Sequence, residues 1–425
     1  MWRSIARSLL PLMESNGVPE INKALLRFLY AIYNPALRMR EGVSRITVSP
    51  AEWGRLVAYR GKRAMLLCNH PTWHDPPVVF GLSRLLGDPF YFAAMEELFE
   101  GIVGEVVRRI GVFPIKRGKP DRKALKICQS ILTDHNGKLV LFPEGEAHER
   151  NDVRLPISEG GDGAAQIGFW AATALMERGD GADISMPIIV LSVFYALQSD
   201  PAPALHKGIA RVEKILGLAH EESPLESRFA RAERLALNGV EHRLGLDVRN
   251  DVNDNERLTR LRERIEEKVC VTLNAPLPLA KDSHLRIRSL YSLIQDIRNV
   301  PVAGMSERDR RIHEALLQEA QLCYKDIERV QRWVVAGLDA PGEGSSAERL
   351  AERLRRLEAE VLGQVRTHFT YEAIIRVAEP FDLCEMLPLY KTARREAIRQ
   401  ATVRTEALFD GFLHEWRDRK QKYLT

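Results

Sequence analysis

Ala64-Met65-Leu66-Leu67-Cys68-Asn69-His70-Pro71-Thr72-Trp73-His74-Asp75-Pro76-Pro77-Val78-Val79-Phe80 is the stretch on which the fold turns. Five apolar residues read as a short buried strand, a polar turn follows, and the prolines mark a helix start. The turn carries a histidine and a carboxylate five residues apart, an arrangement that can present a base at a strand end. If the turn folds back, Asp75 can hold one ring nitrogen of His70 and leave the other for a substrate hydroxyl. Two other readings stay open on these residues alone. Asp75 can simply cap the helix at Pro76-Pro77, and His74-Asp75 can begin a metal site, although further ligands at suitable spacing are not recognisable.

Outward from this turn, short apolar runs alternate with helical segments from Ile46 to about Tyr195. Candidate strands are Ala64 to Cys68, Pro89 to Ala94, Val112 to Lys116, Lys138 to Phe142 and Met186 to Val193. Between them Pro77 to Leu86, Leu98 to Ile110, Arg122 to Asp134 and Gly163 to Arg178 are long enough for crossover helices. Such alternation predicts an α/β domain with a mainly parallel sheet and flanking helices, and its site at strand ends. Two more strand ends carry charge. Gly111-Val112-Phe113-Pro114-Ile115-Lys116-Arg117 ends in cations that can grip a phosphate or form a solvated basic loop. Leu139-Val140-Leu141-Phe142-Pro143-Glu144-Gly145-Glu146 ends in a turn where Glu144 can orient a hydroxyl or a cation and Gly145 lets a ligand approach.

These segments together resemble the glycerolipid (lysophospholipid, 1-acylglycerol-3-phosphate type) acyltransferases over about Arg60 to Tyr195. The family's Asn-His-x-x-x-x-Asp block stands at Asn69, His70 and Asp75, and Gly-x-Phe-Pro-x-x-Arg at Gly111, Phe113, Pro114 and Arg117. Phe-Pro-Glu-Gly is complete at Phe142, Pro143, Glu144 and Gly145, and the proline of the fourth block corresponds to Pro187. The resemblance implies an O-acyltransferase of phospholipid biosynthesis in which His70 and Asp75 are catalytic. His70 deprotonates an acceptor hydroxyl that attacks acyl-CoA or acyl carrier protein directly. It further implies that Arg117, helped by Lys116, holds the acceptor's phosphate, with Asn69, Gly111 and Phe142 to Gly145 shaping the substrate site. Neither cofactor nor metal is expected. The third block departs from the family's lysophosphatidic-acid enzymes, which continue Thr-Arg-Ser where this chain has Glu146-Ala147-His148-Glu149-Arg150. Either Arg150 or Arg154 replaces the missing cation, or the acceptor is a non-phosphate compound such as an amino-lipid. A non-catalytic lipid-binding or scaffold protein is the rival from another class.

Composition fits a globular protein of 425 residues, 45% hydrophobic and 28% charged. A net charge of +4 gives no reason to expect nucleic acid. Seven basic residues against three acidic ones lie between Met1 and Arg45, where Leu25, Leu26, Phe28, Leu29, Ile32, Tyr33 and Leu37 recur at helical spacing. This predicts a basic amphipathic arm over 1–45, bent near Asn34-Pro35, that lies on a membrane surface or packs on the next domain. Five scattered cysteines suggest neither a disulfide framework nor zinc, and point to a reducing compartment. No apolar run is long enough to span a bilayer and the start is too short for a signal peptide, so a cytoplasmic, membrane-peripheral protein is expected. With the acyltransferase domain at 46–204, residues 205–425 are predicted to be all-α. Stripes there run through Leu258, Leu261, Ile265 and Val269, through Ile312, Leu316, Ala320, Cys323, Ile327, Val330 and Val334, and through Leu350, Leu354, Leu357, Val361 and Val365. Ser306-x-x-Asp309 and Ser345-x-x-Glu348 resemble capping boxes. This region can cover the acyl channel, bind a partner, self-associate, or serve as a packing extension.

Overall fold

A computed structural model describes residues 17–99, 101–116, 121–157, 163–179, 184–219, 222–249, 252–278, 283–334, 337–338 and 345–419. The part of the N-terminal arm before residue 17 lies outside them, as does Arg117.

Among the described residues the elements run α1 Lys23–Glu41, β1 Val43–Val48, α2 Pro50–Val57, β2 Ala64–Cys68, α3 Asp75–Leu86, β3 Phe90–Met95, α4 Gly101–Arg108 and β4 Val112–Ile115. Then follow α5 Arg122–Thr133, β5 Lys138–Leu141, α6 Gly163–Arg178 and β6 Pro187–Leu197. The helices α7 Ala202–Leu216, α8 Leu225–Arg243, α9 Asp254–Thr272, α10 Ser283–Arg298, α11 Glu307–Val334 and α12 Ala347–Val361 come next. The chain closes with β7 Tyr371–Val377, β8 Phe381–Asp382, α13 Leu387–Thr392 and α14 Arg394–Arg419.

The sheet order is β1-β7-β6-β2-β5-β3-β4, with β8 also paired to β6. Every pairing from β6 to β4 along this path is parallel, and β7 is antiparallel to β6 and parallel to β1. The strand Ala64–Cys68 is buried on both faces, as a central parallel strand requires. Its residues divide with period two: Ala64, Leu66 and Cys68 join one core cluster, Met65 and Leu67 the other. The first cluster continues into α1, α3 and the helices α7 to α12, and the second holds α5, α6, α13 and α14.

The C-terminal region is mainly helical, as its stripes predict, yet it returns two strands to the sheet. Residues Tyr371–Val377 alternate strictly between buried and half-buried positions, the period-two signal of a strand, and insert between β1 and β6. The longer helical stripes before them overshadow that short alternation. Along the second stripe Ile312 is exposed and His313 is buried instead. The cap of α12 is Ser346, whose hydroxyl accepts from Arg349 N, rather than Ser345, whereas Ser306 and Asp309 form the expected box. Some of the charge in this region is internal. Glu233 binds Arg353 and Arg356, Glu213 binds Arg228, and Glu241 binds Arg257, all buried. A carboxylate left there without its partner would be costly, so these pairs fix how α8 meets its neighbours.

The helix α1 runs through Pro35 without interruption. Leu26, Tyr33 and Leu37 form its buried face, and the Tyr33 hydroxyl donates to the Pro77 carbonyl at the start of α3. The expected apolar set is thus divided, because Phe28 and Ile32 are exposed together with Met39.

Candidate active site

Parallel strands deliver their C-terminal ends to one edge of the sheet. There β6 outruns β2: Cys68 is level with Leu191, and β6 continues to Leu197 beside the turn. Asn69 fastens the turn to this overhang. Its Oδ1 accepts from Val193 N at 2.7 Å and its Nδ2 donates to the Val193 carbonyl at 3.2 Å.

His70 Nδ1 lies 2.8 Å from Asp75 Oδ2. The same oxygen accepts from Thr72 N at 2.8 Å, and Oδ1 accepts from the Tyr195 hydroxyl at 2.5 Å and from Thr72 Oγ1 at 3.1 Å. Asp75 is the first residue of α3, yet these bonds turn its carboxylate back into the loop instead of forward over the helix N-terminus. Beside an ionised carboxylate, which can only accept, the ring nitrogen Nδ1 is the donor of this contact, and Nε2 is the nitrogen left to face a substrate. Burial drives the Tyr195 hydroxyl far above its ordinary pKa, and the neighbouring Asp75 charge adds to this, so Tyr195 remains a donor. Nothing marks it in the sequence except a tyrosine in an apolar strand, which buried needs a polar partner.

Next along the sheet, β5 exits into Phe142 to Gly145. The Phe142 ring packs on the His70 ring with centroids 4.5 Å apart, and the half-exposed Trp73 meets His70 edge-on at 6.2 Å. Glu144 is fully buried. Its carboxylate accepts from His70 N at 3.2 Å, His148 Nε2 at 2.9 Å and Leu155 N at 3.0 Å. With three protein donors it braces one loop against the other. Gly145 adopts φ +75°, the left-handed region that glycine enters without penalty.

Asn69, His70, Asp75 and Phe142 to Gly145 therefore come together, while Gly111 and Lys116 stand apart. Strand β4 is separated from β2 by β5 and β3, which places it roughly 14 Å away at about 4.8 Å per strand. Lys116 is exposed at its exit. Gly111 stands at the entry of β4 with φ +95°, where a Cβ would come 3.0 Å from the Phe90 carbonyl oxygen. Pro187 begins β6, the end remote from the turn. The two cations near the third block are engaged elsewhere: Arg150 pairs with Asp152 at 3.0 Å and Arg154 with Asp410 at 2.5 Å.

His74 is tied at both ring nitrogens, Nδ1 2.5 Å from Glu41 Oε2 and Nε2 3.3 Å from Arg355 Nη1. The Glu41 carboxyl lies below its usual range because of the His74 bond. A shallow recess borders the turn here, lined by Trp73, His74, Tyr195, Glu352 and Arg355 among others. Burial pushes the Glu352 carboxyl up to about 7 against the pull of Arg349. Cys68, beside the turn, is fully buried, and burial followed by the Asp75 charge drives its thiol well above the ordinary value. It is therefore unsuited to nucleophilic attack. Among the described residues no group of three or more His, Cys, Asp or Glu gathers to hold a metal ion.

Residues 49–173 match the family model described as Acyltransferase. A 1-acyl-sn-glycerol-3-phosphate acyltransferase of Streptococcus pneumoniae (strain ATCC BAA-255 / R6) is 34% identical over 113 residues, 26% of this chain and 39% of the relative. The chain thus spans about two fifths of the length of the curated relative that it matches.

Proposed function

We propose, on the premise that residues 49–173 carry a domain of the glycerolipid acyltransferase family, that the protein transfers a fatty acyl group from acyl-CoA or acyl carrier protein to a lysophospholipid hydroxyl. The observation that carries this is the His70–Asp75 pair at the sheet edge, in which the carboxylate takes Nδ1 and leaves Nε2 to a substrate. His70 Nε2 takes the acceptor's hydroxyl proton as the oxygen attacks the thioester carbon. Asp75 stabilises the imidazolium that forms, the tetrahedral intermediate expels the thiolate, and His70 returns the proton to sulfur. Transfer is direct. Asn69 and Glu144 hold the loops, Phe142, Pro143 and Gly145 shape the acceptor site, and Gly111 sets the entry of β4. Lys116 and Arg117 serve the acceptor's phosphate.

Association with the cytoplasmic face of a membrane is part of this reading. Phe28, Ile32 and Met39 form an exposed apolar stripe on α1, opposite its buried face, with Arg27 and Arg38 exposed at its border. No helix among the described residues is long and apolar enough to cross a membrane.

Full-length protein given acyl-CoA or acyl carrier protein and a panel of lysolipids should release free carrier thiol, with products identified by mass spectrometry. His70→Ala should lower the rate by about two to four orders of magnitude while the fold persists. Full activity of that variant refutes the assignment of the base, and no turnover across the panel refutes the reading as a whole. A second reading, a non-phosphate acceptor, is favoured by the commitment of Arg150 and Arg154 to acidic partners. Arg117→Ala separates the two, since a phosphate acceptor should lose affinity and a neutral one should not.

A further inference from the structure

The turn after β5 is gripped by helices that lie outside the family-matched segment. Arg288 on α10 donates from Nη2 to the Glu144 carbonyl, and its Nε lies 3.7 Å from Glu146 Oε1. Gln331 on α11 donates to Glu146 Oε2. Glu146, the residue at which the third block leaves the family pattern, is only 1% exposed. A Cβ at position 145 would overlap the Arg288 guanidinium, so the glycine there admits a side chain of this protein. From Arg288 two hydrogen bonds in series reach the base, one to the Glu144 carbonyl and one from His70 N to Glu144 Oε1. Phe142, two residues earlier, packs on the His70 ring.

We propose that Arg288, assisted by Gln331, is a positioning residue for the catalytic turn. It fixes Phe142 to Glu146, and through the Glu144 strut and the Phe142 ring it fixes the His70 imidazole. The C-terminal helices are then a working part of the site. Charge separates this role from direct capture of an anionic acceptor. A buried carboxylate 3.7 Å away offsets the guanidinium, leaving little net positive charge to offer, and Glu146 itself needs a cation to be tolerable at that depth.

The proposal rests on the reading of His70 as base, so its test has an arm that needs no turnover. Hydrogen exchange in full-length Arg288→Gln should quicken over residues 64–78 and 139–148 while α14 keeps its wild-type protection. In turnover, kcat should fall about tenfold with both KM values within about twofold of wild type, and Glu146→Gln added to Arg288→Gln should cost little more. A rise in acceptor KM with kcat retained overturns the proposal, because Arg288 would then be a substrate ligand. Unchanged kcat with unchanged exchange overturns it as well. If Arg288→Gln does not fold, Arg288→Lys keeps the charge beside Glu146 and gives up the fork. It should show the same kcat-specific loss in smaller measure, and a lysine variant equal to wild type in kcat and exchange refutes the role. An enzyme inactive on every lysolipid leaves the exchange comparison to decide the link by itself.

Discussion

Asp75→Asn tests the site's logic most sharply, because the hydrogen bonds dictate how the amide must sit. Oδ2 faces the backbone N–H of Thr72, a donor that can never accept, as well as His70 Nδ1. Oδ1 faces two hydroxyls, Tyr195 and Thr72, and each can rotate to accept. The amide oxygen therefore takes the Oδ2 place and the NH2 group the Oδ1 place, so His70 still donates from Nδ1 and keeps Nε2 as base. Only the charge is lost. A unit charge about 4 Å from the imidazolium is worth roughly 4 kcal/mol at an effective dielectric near 20. With the transferred charge between half and fully developed in the transition state, the rate should fall about 30- to 1,000-fold. The assay is thiol release from acyl-CoA at saturating acceptor, beside ¹⁵N-histidine NMR to read which ring nitrogen of His70 bears the proton. Asp75→Ala should be worse than Asp75→Asn, because it abandons orientation and strands Thr72 N and the Tyr195 hydroxyl. An Asp75→Asn enzyme slowed well beyond about 1,000-fold, or one with its proton moved to Nε2, refutes this reasoning. So does one as fast as wild type.

Two further outcomes follow from the same geometry. Glu352 has a folded pKa of about 7, above the ordinary carboxyl value near 4.5, so its contribution to stability is fully present below about 4.5 and is lost as pH rises through about 7. Glu352→Gln should therefore narrow the difference in thermal midpoint between pH 5 and pH 8, and an undiminished difference would place the titration elsewhere. Replacing Phe28, Ile32 and Met39 together by serine should abolish salt-sensitive sedimentation with vesicles containing anionic lipid, while the melting temperature changes little because all three are exposed. Binding that survives the triple change would rule out α1 as the anchor.

Local pattern carried the α/β half of the molecule. Continuous apolar runs such as Ala64–Cys68 are what parallel strands buried on both faces require, and Asn69, His70, Asp75 and Phe142 to Gly145 sit where such strands end. Those blocks were legible because each is set within a few residues of its own strand. The partners that lock them were not. Tyr195 reaches Asp75 across 120 residues, and Arg288 reaches Glu144 across 144. A tyrosine in an apolar strand and an arginine in a charged helix announce no partner, since which side chains meet depends on packing between elements. The same limit applies to β7, whose alternation was present but whose place between β1 and β6 depends on the whole C-terminal path. Sequence by itself determined five of the eight strands and the turns at their ends, with the histidine and carboxylate that one of those turns carries. Tertiary structure alone decided which ring nitrogen of His70 meets Asp75, which side chains hold Glu146, and the contact of the helical region with the turn after β5. Hydrogen bonds between residues so far apart in the chain exist only once the sheet and its helices are assembled.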